Sequence, residues 1–321
     1  MKVAVVGLGV IGRVHLQVIA ETDNQLVAIC DIDNEKLLNL PNVARYSDYV
    51  TMLENEKPDV VHVCTPHYLH TQMIIEALNR SINVLCEKPL CIKKEDIELI
   101  LNAEENSSAQ LGVCFQNRYN FTTLLVKDYL KNEEILSARA ELRWHRDKSY
   151  YTKDSWHGKK DTEGGGVLIN QAIHTVDLLQ YLCGMPKNVL AICENLSLQG
   201  VIDVEDTATL SLNGEINSTL YATNSADKDY PVEILIETKK SKIRMLPDRV
   251  WINDVLYDSS NVSEFFGKKI YGVGHRNLIK DYYDCIKANR KFLIDGREAS
   301  KAVKIVLAAY ESNGRTYEID V

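Results

Sequence analysis

The sequence predicts an α/β protein in which a doubly wound parallel sheet precedes an α+β domain with a mostly antiparallel, open-faced sheet. Three observations carry this. Short apolar runs alternate with amphipathic stretches over residues 1–120. The alternation then stops, and from 188 to 257 the chain is strand-rich with little helix. Its 321 residues also exceed the roughly 250–300 at which a single core stops growing. Two domains are therefore expected, 1–120 and 121–321.

In order, the apolar runs occupy residues 3–7, 26–30, 60–64, 83–87 and 111–115. Each is short, β-branched and apolar on both sides of the alternation, as parallel strands covered on both faces are. Between them, residues 11–21, 48–56, 71–80 and 94–105 are amphipathic at helical spacing. Strand–helix alternation of this kind builds a doubly wound sheet. A helix over 122–131, a strand over 136–144 and an aromatic, charged loop to Glu163 follow. After Gly164, Gly165 and Gly166 a long helix is predicted over 167–183, then six strand-like runs at hairpin spacing and two closing helices, 275–289 and 298–312.

Composition bounds the function. The net charge is −8, with 45% hydrophobic and 26% charged residues, ordinary for a globular chain. No basic block suits nucleic acid or an anionic membrane surface. No apolar run approaches a membrane span, and the glycine-interrupted N-terminus followed by Arg13 and His15 reads as mature structure rather than a signal peptide. The eight cysteines form no Cys-x-x-Cys pair, and several lie inside apolar runs. Buried, reduced thiols and a cytoplasmic location are expected, with no metal site.

Gly7-Leu8-Gly9-Val10-Ile11-Gly12 follows the first strand and opens the first helix, and Asp31 ends the next strand 19 residues beyond Gly12. This is the dinucleotide-binding fingerprint. Gly7 permits the tight turn, Gly9 lets backbone approach a pyrophosphate, and Gly12 lets helix and strand pack. The helix N-terminus offers free N–H groups to the phosphates. Asp31 would bond the adenosine ribose and repel a 2′-phosphate, which favours NAD over NADP. The alternative is a ligand-free glycine turn with Asp31 starting a helix.

Ligands in such sheets bind beyond the carboxyl ends of strands. Thr65-Pro66-His67-Tyr68-Leu69-His70 and Glu87-Lys88-Pro89-Leu90 both lie there. A surface Lys88–Glu87 pair and helix-start histidines are the plain alternatives. In the second half, Asn170, His174, Asp177 and Tyr181 fall on one stripe of a helix that is otherwise apolar. Buried polar stripes are either satisfied or functional. His174 is the group there that exchanges a proton near neutrality, and Asp177 stands where it could orient the ring.

Glu87-Lys88-Pro89 after the fingerprint, a glycine run and His174 on a helix resemble the Gfo/Idh/MocA oxidoreductases, over essentially the whole chain. The resemblance implies Lys88 and His174 as catalytic residues. It implies that the glycine loop and Asp31 bind NAD, that Thr65, Pro66, His67 and His70 line the cofactor channel, and that Glu87, Asn117 and Tyr271 lie near the nicotinamide end. It implies a substrate site of Lys88, Arg118, Trp156, His157, Asn170 and His174. Many relatives carry Asp where this chain has Asn170. The implied reaction is hydride transfer between NAD and a secondary alcohol or ketone of a sugar, sugar derivative or cyclic polyol. NAD-recycling cleavage of a glycoside and a non-catalytic NAD sensor are the alternatives. The open sheet face, with Leu190, Ile192, Leu210, Leu212, Leu235 and Ile243 as candidates for that face or the core, suggests a homodimer or homotetramer.

Overall fold

The computed structural model describes residues 1–38, 43–258 and 274–320. The chain divides into two compact units. One comprises Met1–Phe115 with His275–Ser300, the other Gln116–Gly274 with Lys301–Val321.

The first unit is built on a six-stranded parallel sheet. Its strands are β1 (Lys2–Val6), β2 (Gln25–Cys30), β3 (Ala44–Tyr46), β4 (Val60–Val63), β5 (Asn83–Cys86) and β6 (Leu111–Val113), in the order β3-β2-β1-β4-β5-β6. Helices Val10–Ile19, Tyr49–Glu56, His70–Leu78 and Lys94–Glu105 alternate with the strands. The strand order reverses between β1 and β4, and this topological switch opens a crevice at their carboxyl ends. All four residues of β4 are buried, as a doubly covered parallel strand requires. The three-residue β3 has no apolar run of its own, so the sequence does not announce it.

Residues 275–300 pack with this unit, whereas the sequence reading assigns 121–321 to the second domain. The cause is aromatic packing: a Cβ at Gly112 in β6 would strike Tyr282 and Phe292, and the Tyr282 hydroxyl donates to Val84 O and Gln110 O.

The second unit carries β7 (Ile135–Arg143), β8 (Asn188–Glu194), β9 (Thr207–Asn213), β10 (Asn217–Thr223), β11 (Glu233–Thr238), β12 (Lys242–Met245), β13 (Arg249–Ile252), β14 (Val255–Asp258) and β15 (Tyr317–Glu318). They form one sheet, β14-β13-β12-β11-β7-β10-β9-β8-β15, antiparallel except where β10 runs parallel to β7. Leu210, Leu212 and Ile243 point into its core, whereas Ile192 is 51% exposed. The helix predicted over 167–183 begins instead at Ile173. Glu205 captures the amides first: its carboxylate accepts from Gly166 N–H and Leu168 N–H, both at 2.9 Å. The preceding residues therefore turn instead of coiling.

Candidate functional site

The functional residues form two sets, one in each unit. In the first, Gly7 has φ +85° and a side chain there would strike Cys64 O, while a Cβ at Gly12 would strike Gly7 O. Gly9, exposed at the start of helix Val10–Ile19, has nothing within 4 Å of a Cβ position. The loop is thus packed tightly behind and open in front, the shape a pyrophosphate needs at a helix N-terminus. Asp31 Oδ2 accepts from Leu8 N–H at 2.8 Å and Oδ1 from Asp33 N–H at 2.9 Å. This carboxylate ties the glycine loop to the end of β2, and each oxygen keeps a lone pair for a ribose hydroxyl. Lys36 Nζ stands 3.7 Å from it, a cation that the sequence pattern does not single out. These residues fit NAD.

Thr65 and Pro66 are half-buried after β4, and His67 is buried. His70 is fully buried, with Nδ1 2.7 Å from Pro89 O and Nε2 2.9 Å from Thr65 O. It braces the two strand-end motifs against each other. Burial pushes its pKa down, against the pull of the two carbonyls. Lys88 is half-buried between the buried Glu87 and Pro89.

Glu87 is the centre of a buried network that sequence reasoning missed. Its Oε1 lies 3.1 Å from His15 Nε2 and 3.2 Å from His275 Nε2. His15 Nδ1 lies 2.7 Å from His62 Nδ1, and His62 Nε2 lies 2.8 Å from the Tyr283 hydroxyl. Burial alone would raise the Glu87 carboxyl, but the hydrogen bonds from His15 and His275 hold it well below the usual range. Burial pushes His15 down, and burial with His15 nearby pushes His62 well down, which favours the neutral form of both rings. The tautomers then follow outward from the carboxylate, which only accepts. His15 Nε2–H donates to Glu87, His62 Nδ1–H donates to His15, and Tyr283 O–H donates to His62. A signal did exist: His62 interrupts an apolar strand, where an unpaired imidazole would be costly.

In the second unit His174 is half-buried on helix Ile173–Cys183, whose other residues, apart from Tyr181, are buried. Its Nε2 is 3.4 Å from Gln116 Nε2. Asn117 is half-buried in the 3-10 turn Gln116–Tyr119, where its carbonyl accepts from Thr123 Oγ1 at 2.7 Å. Arg118 is buried rather than presented to a ligand. Its Nε and NH2 group donate to the two oxygens of Asp177 at 2.8 and 2.6 Å, and it stacks 4.3 Å over Tyr181. Asp177 is engaged by that fork and by Gln180.

Half-buried Trp156 and His157 stack with ring centroids 3.7 Å apart, and His157 Nδ1 is 2.7 Å from Asp154. Buried Asn170 donates to Glu163. A pocket lined by His174, Gln116, Asn117, Gln171, Trp144 and Met245, among others, opens beside this set. Tyr271 lies outside the described residues. The described cysteines are buried except Cys193, which is half-buried. Among the described residues no helix is long and apolar enough to cross a membrane.

Residues 1–115 match the family model of an oxidoreductase family with an NAD-binding Rossmann fold, and residues 133–244 match the GFO/IDH/MocA C-terminal domain. Among curated proteins, the chain is 22% identical to myo-inositol 2-dehydrogenase of Thermotoga maritima, over 97% of this chain and 96% of that one. It is 24% identical to the uncharacterized oxidoreductase YrbE of Bacillus subtilis, over 96% and 93%. Among solved structures it resembles the WlbA dehydrogenase of Bordetella pertussis in complex with NADH and UDP-GlcNAcA. That match has a TM-score of 0.91 and 26% identity, covering 100% of this chain and 98% of that one.

Proposed function

Because the chain belongs to the GFO/IDH/MocA oxidoreductases, with an NAD-binding Rossmann unit, we propose that it is a dehydrogenase acting on a secondary alcohol or ketone of a sugar, sugar derivative or cyclic polyol. One observation carries the reading: Lys88 and His174 are half-buried titratable side chains on segments whose neighbours are almost all buried. Such groups are held partly out of water yet kept reachable, which is where proton-handling side chains work. The relatives that act on myo-inositol and bind UDP-GlcNAcA support the substrate class.

NAD, when bound, supplies the hydride acceptor or donor. The chain's own residues do the rest. The Gly7–Gly12 loop and helix N-terminus hold the pyrophosphate, and Asp31 holds the adenosine ribose. Thr65, Pro66 and His67 line the cofactor channel, with His70 bracing Thr65 against Pro89, and Glu87 and Asn117 are assigned to the nicotinamide end. His174 takes the hydroxyl proton during oxidation and returns it during reduction. Lys88 is assigned as the cation that lowers the pKa of the alcohol and favours its alkoxide. Asn170, Trp156 and His157 position the sugar. Ile192 and its exposed neighbours on the sheet form the contact of a homo-oligomer.

The test follows NADH absorbance with NAD and a panel of UDP-GlcNAcA, myo-inositol and methyl glucosides, with products identified in parallel. NADH accumulating with an alcohol is expected, and His174→Ala and Lys88→Ala should each lower turnover by about 10²–10⁴-fold. A glycoside consumed without net NADH would replace this reading with the redox-recycling one. Wild-type rates in both variants would sink the assigned roles.

A further inference from the structure

Glu163 has no role in the scheme above, yet it is 1% exposed and bonded to a residue that scheme uses. It ends the short helix Lys160–Glu163, and Gly164 turns the chain away in a left-handed conformation, φ +90°. Its two carboxylate oxygens have different partners. Oε2 accepts from Gly158 N–H, and Oε1 accepts from Asn170 Nδ2.

The Gly158 contact holds the aromatic loop. Gly158 has φ +74°, and a side chain there would strike Ile202 and Tyr151, so glycine is needed to aim this amide at Glu163. The preceding residues are the stacked Trp156 and His157, and Thr162 Oγ1 donates to Trp156 O at 2.8 Å. The Asn170 contact reaches the segment just before the His174 helix. One carboxylate therefore clasps both parts of the set that we assign to the substrate.

The clasp also determines what Asn170 presents. A carboxylate only accepts, so the Asn170 NH₂ must face Glu163 and its carbonyl oxygen must face away. We propose that Glu163 is a positioning residue: it orients the Asn170 amide so that position 170 offers a fixed acceptor, selecting a substrate hydroxyl that donates there. This role rests on the dehydrogenase reading.

Charge exchange across the pair tests it. In Glu163→Gln, the new side chain can keep its carbonyl on Gly158 only by turning its NH₂ on the Asn170 NH₂. Asn170 must then flip and offer a donor in place of its acceptor. In Asn170→Asp two buried carboxylates meet. In Glu163→Gln/Asn170→Asp the Gly158 bond and the bond across the pair are both remade. The amide introduced at position 163 accepts from Gly158 and donates to the carboxylate introduced at position 170, whose second oxygen restores the acceptor.

The assay measures kcat and KM for the panel alcohol that the wild type oxidises best, with NADH affinity and Tm measured beside them. A charge-assisted hydrogen bond corresponds to about 10–100-fold in affinity. Glu163→Gln should lose about 10-fold in kcat/KM and Asn170→Asp about 100-fold, with NADH affinity kept. The double variant should return to within about threefold of wild type, the non-additivity of a directly coupled pair. A Glu163→Gln variant with wild-type kcat/KM would overturn the proposal. So would a double variant that binds NADH and melts like wild type but is no more active than Asn170→Asp. Either result leaves the dehydrogenase reading intact. A wild type that binds NADH but oxidises no panel alcohol overturns that reading and the substrate role of Asn170 together, whatever the Tm values of the variants.

Discussion

The two units bury charge in different ways. In the first, the carboxylate at the strand ends, Glu87, is bonded to His15 and His275, and a chain of neutral rings runs on through His62 to Tyr283. In the second, the buried carboxylates are bonded to groups that do not change protonation near neutrality. Glu205 takes two backbone amides and the Tyr310 hydroxyl, Asp206 takes the amides of Leu196, Ser197 and Leu198, and Asp177 takes the Arg118 guanidinium. Burial raises the Glu205 carboxyl against the pull of its donors. The contrast is between Glu87, held by rings that can titrate, and carboxylates held by donors that keep their protons. It sets a titratable network around Glu87 in the first unit and fixed donors around Asp177, Glu205 and Asp206 in the second.

The largest effect should come from breaking the fixed kind. Arg118 and Asp177 are each 1% exposed. Removing one partner strands a buried charge, at a cost of about 3–5 kcal/mol, whereas replacing both by apolar residues is close to neutral. Asp177→Ala should therefore lower unfolding free energy by that amount in urea, and Arg118→Met/Asp177→Leu should recover most of it. A cost below about 1 kcal/mol for Asp177→Ala would mean that this pair is as inconsequential as a surface one, and the contrast between the units would fail.

The histidine chain should show a smaller, pH-dependent effect. The folded pKa values of His15, His62 and His70 lie below the ordinary value of 6.5. Between the folded and unfolded pKa values the unfolded chain binds more protons, so stability rises with pH there. The contribution is complete above about 6.5 and is lost as pH falls below it, by up to about 1.4 kcal/mol per pH unit for each ring. Glu87, whose pKa is also depressed, acts in the same direction but below its own ordinary value of 4.5. In His62→Gln the amide can still donate to His15 and accept from Tyr283, but cannot titrate. Calorimetric melts between about pH 5 and 7.5 should show a flatter Tm profile for this variant than for wild type. Parallel profiles would show that His62 is not buried neutral.

The same contrast explains what can be read from the sequence. The glycine loop, Asp31 and the strand-end motifs are legible because each is a local signal: a turn, a cap or a charge beside an apolar run. The Glu87 network is not, because His15, His62 and His275 lie far from it in the chain and meet only through the sheet and the returning helix Gly274–Lys287. The helix expected over 167–183 starts later for a related reason. Glu205 takes the first amides from nearly forty residues away, and helical periodicity carries no record of that competitor. Arg118 is implied as a substrate residue by the family resemblance, and no local signal shows that it is buried. Its partner, Asp177, is visible in the sequence, but there its helical spacing matches it to His174.

Glu104 offers the smallest and most specific test, since it is a carboxylate in the histidine-bearing unit with a shift opposite to that of Glu87. Burial, reinforced by the nearby charge of Asp295, raises its pKa from 4.5 to about 7. No histidine relieves it; its described partner is the Gly296 amide, 3.5 Å away. With the folded pKa above the unfolded one, its stability contribution is complete below about 4.5 and is lost as pH rises through about 7. Glu104→Gln keeps an acceptor for Gly296 and removes the ionisation. The variant should match wild type at about pH 4 and exceed it by about 1 kcal/mol at about pH 8, after allowance for the part of Glu104 that water screens. An equal gain at both pH values would trace the effect to packing, and a loss at the higher pH would mean that the carboxylate is as well paired as Glu87.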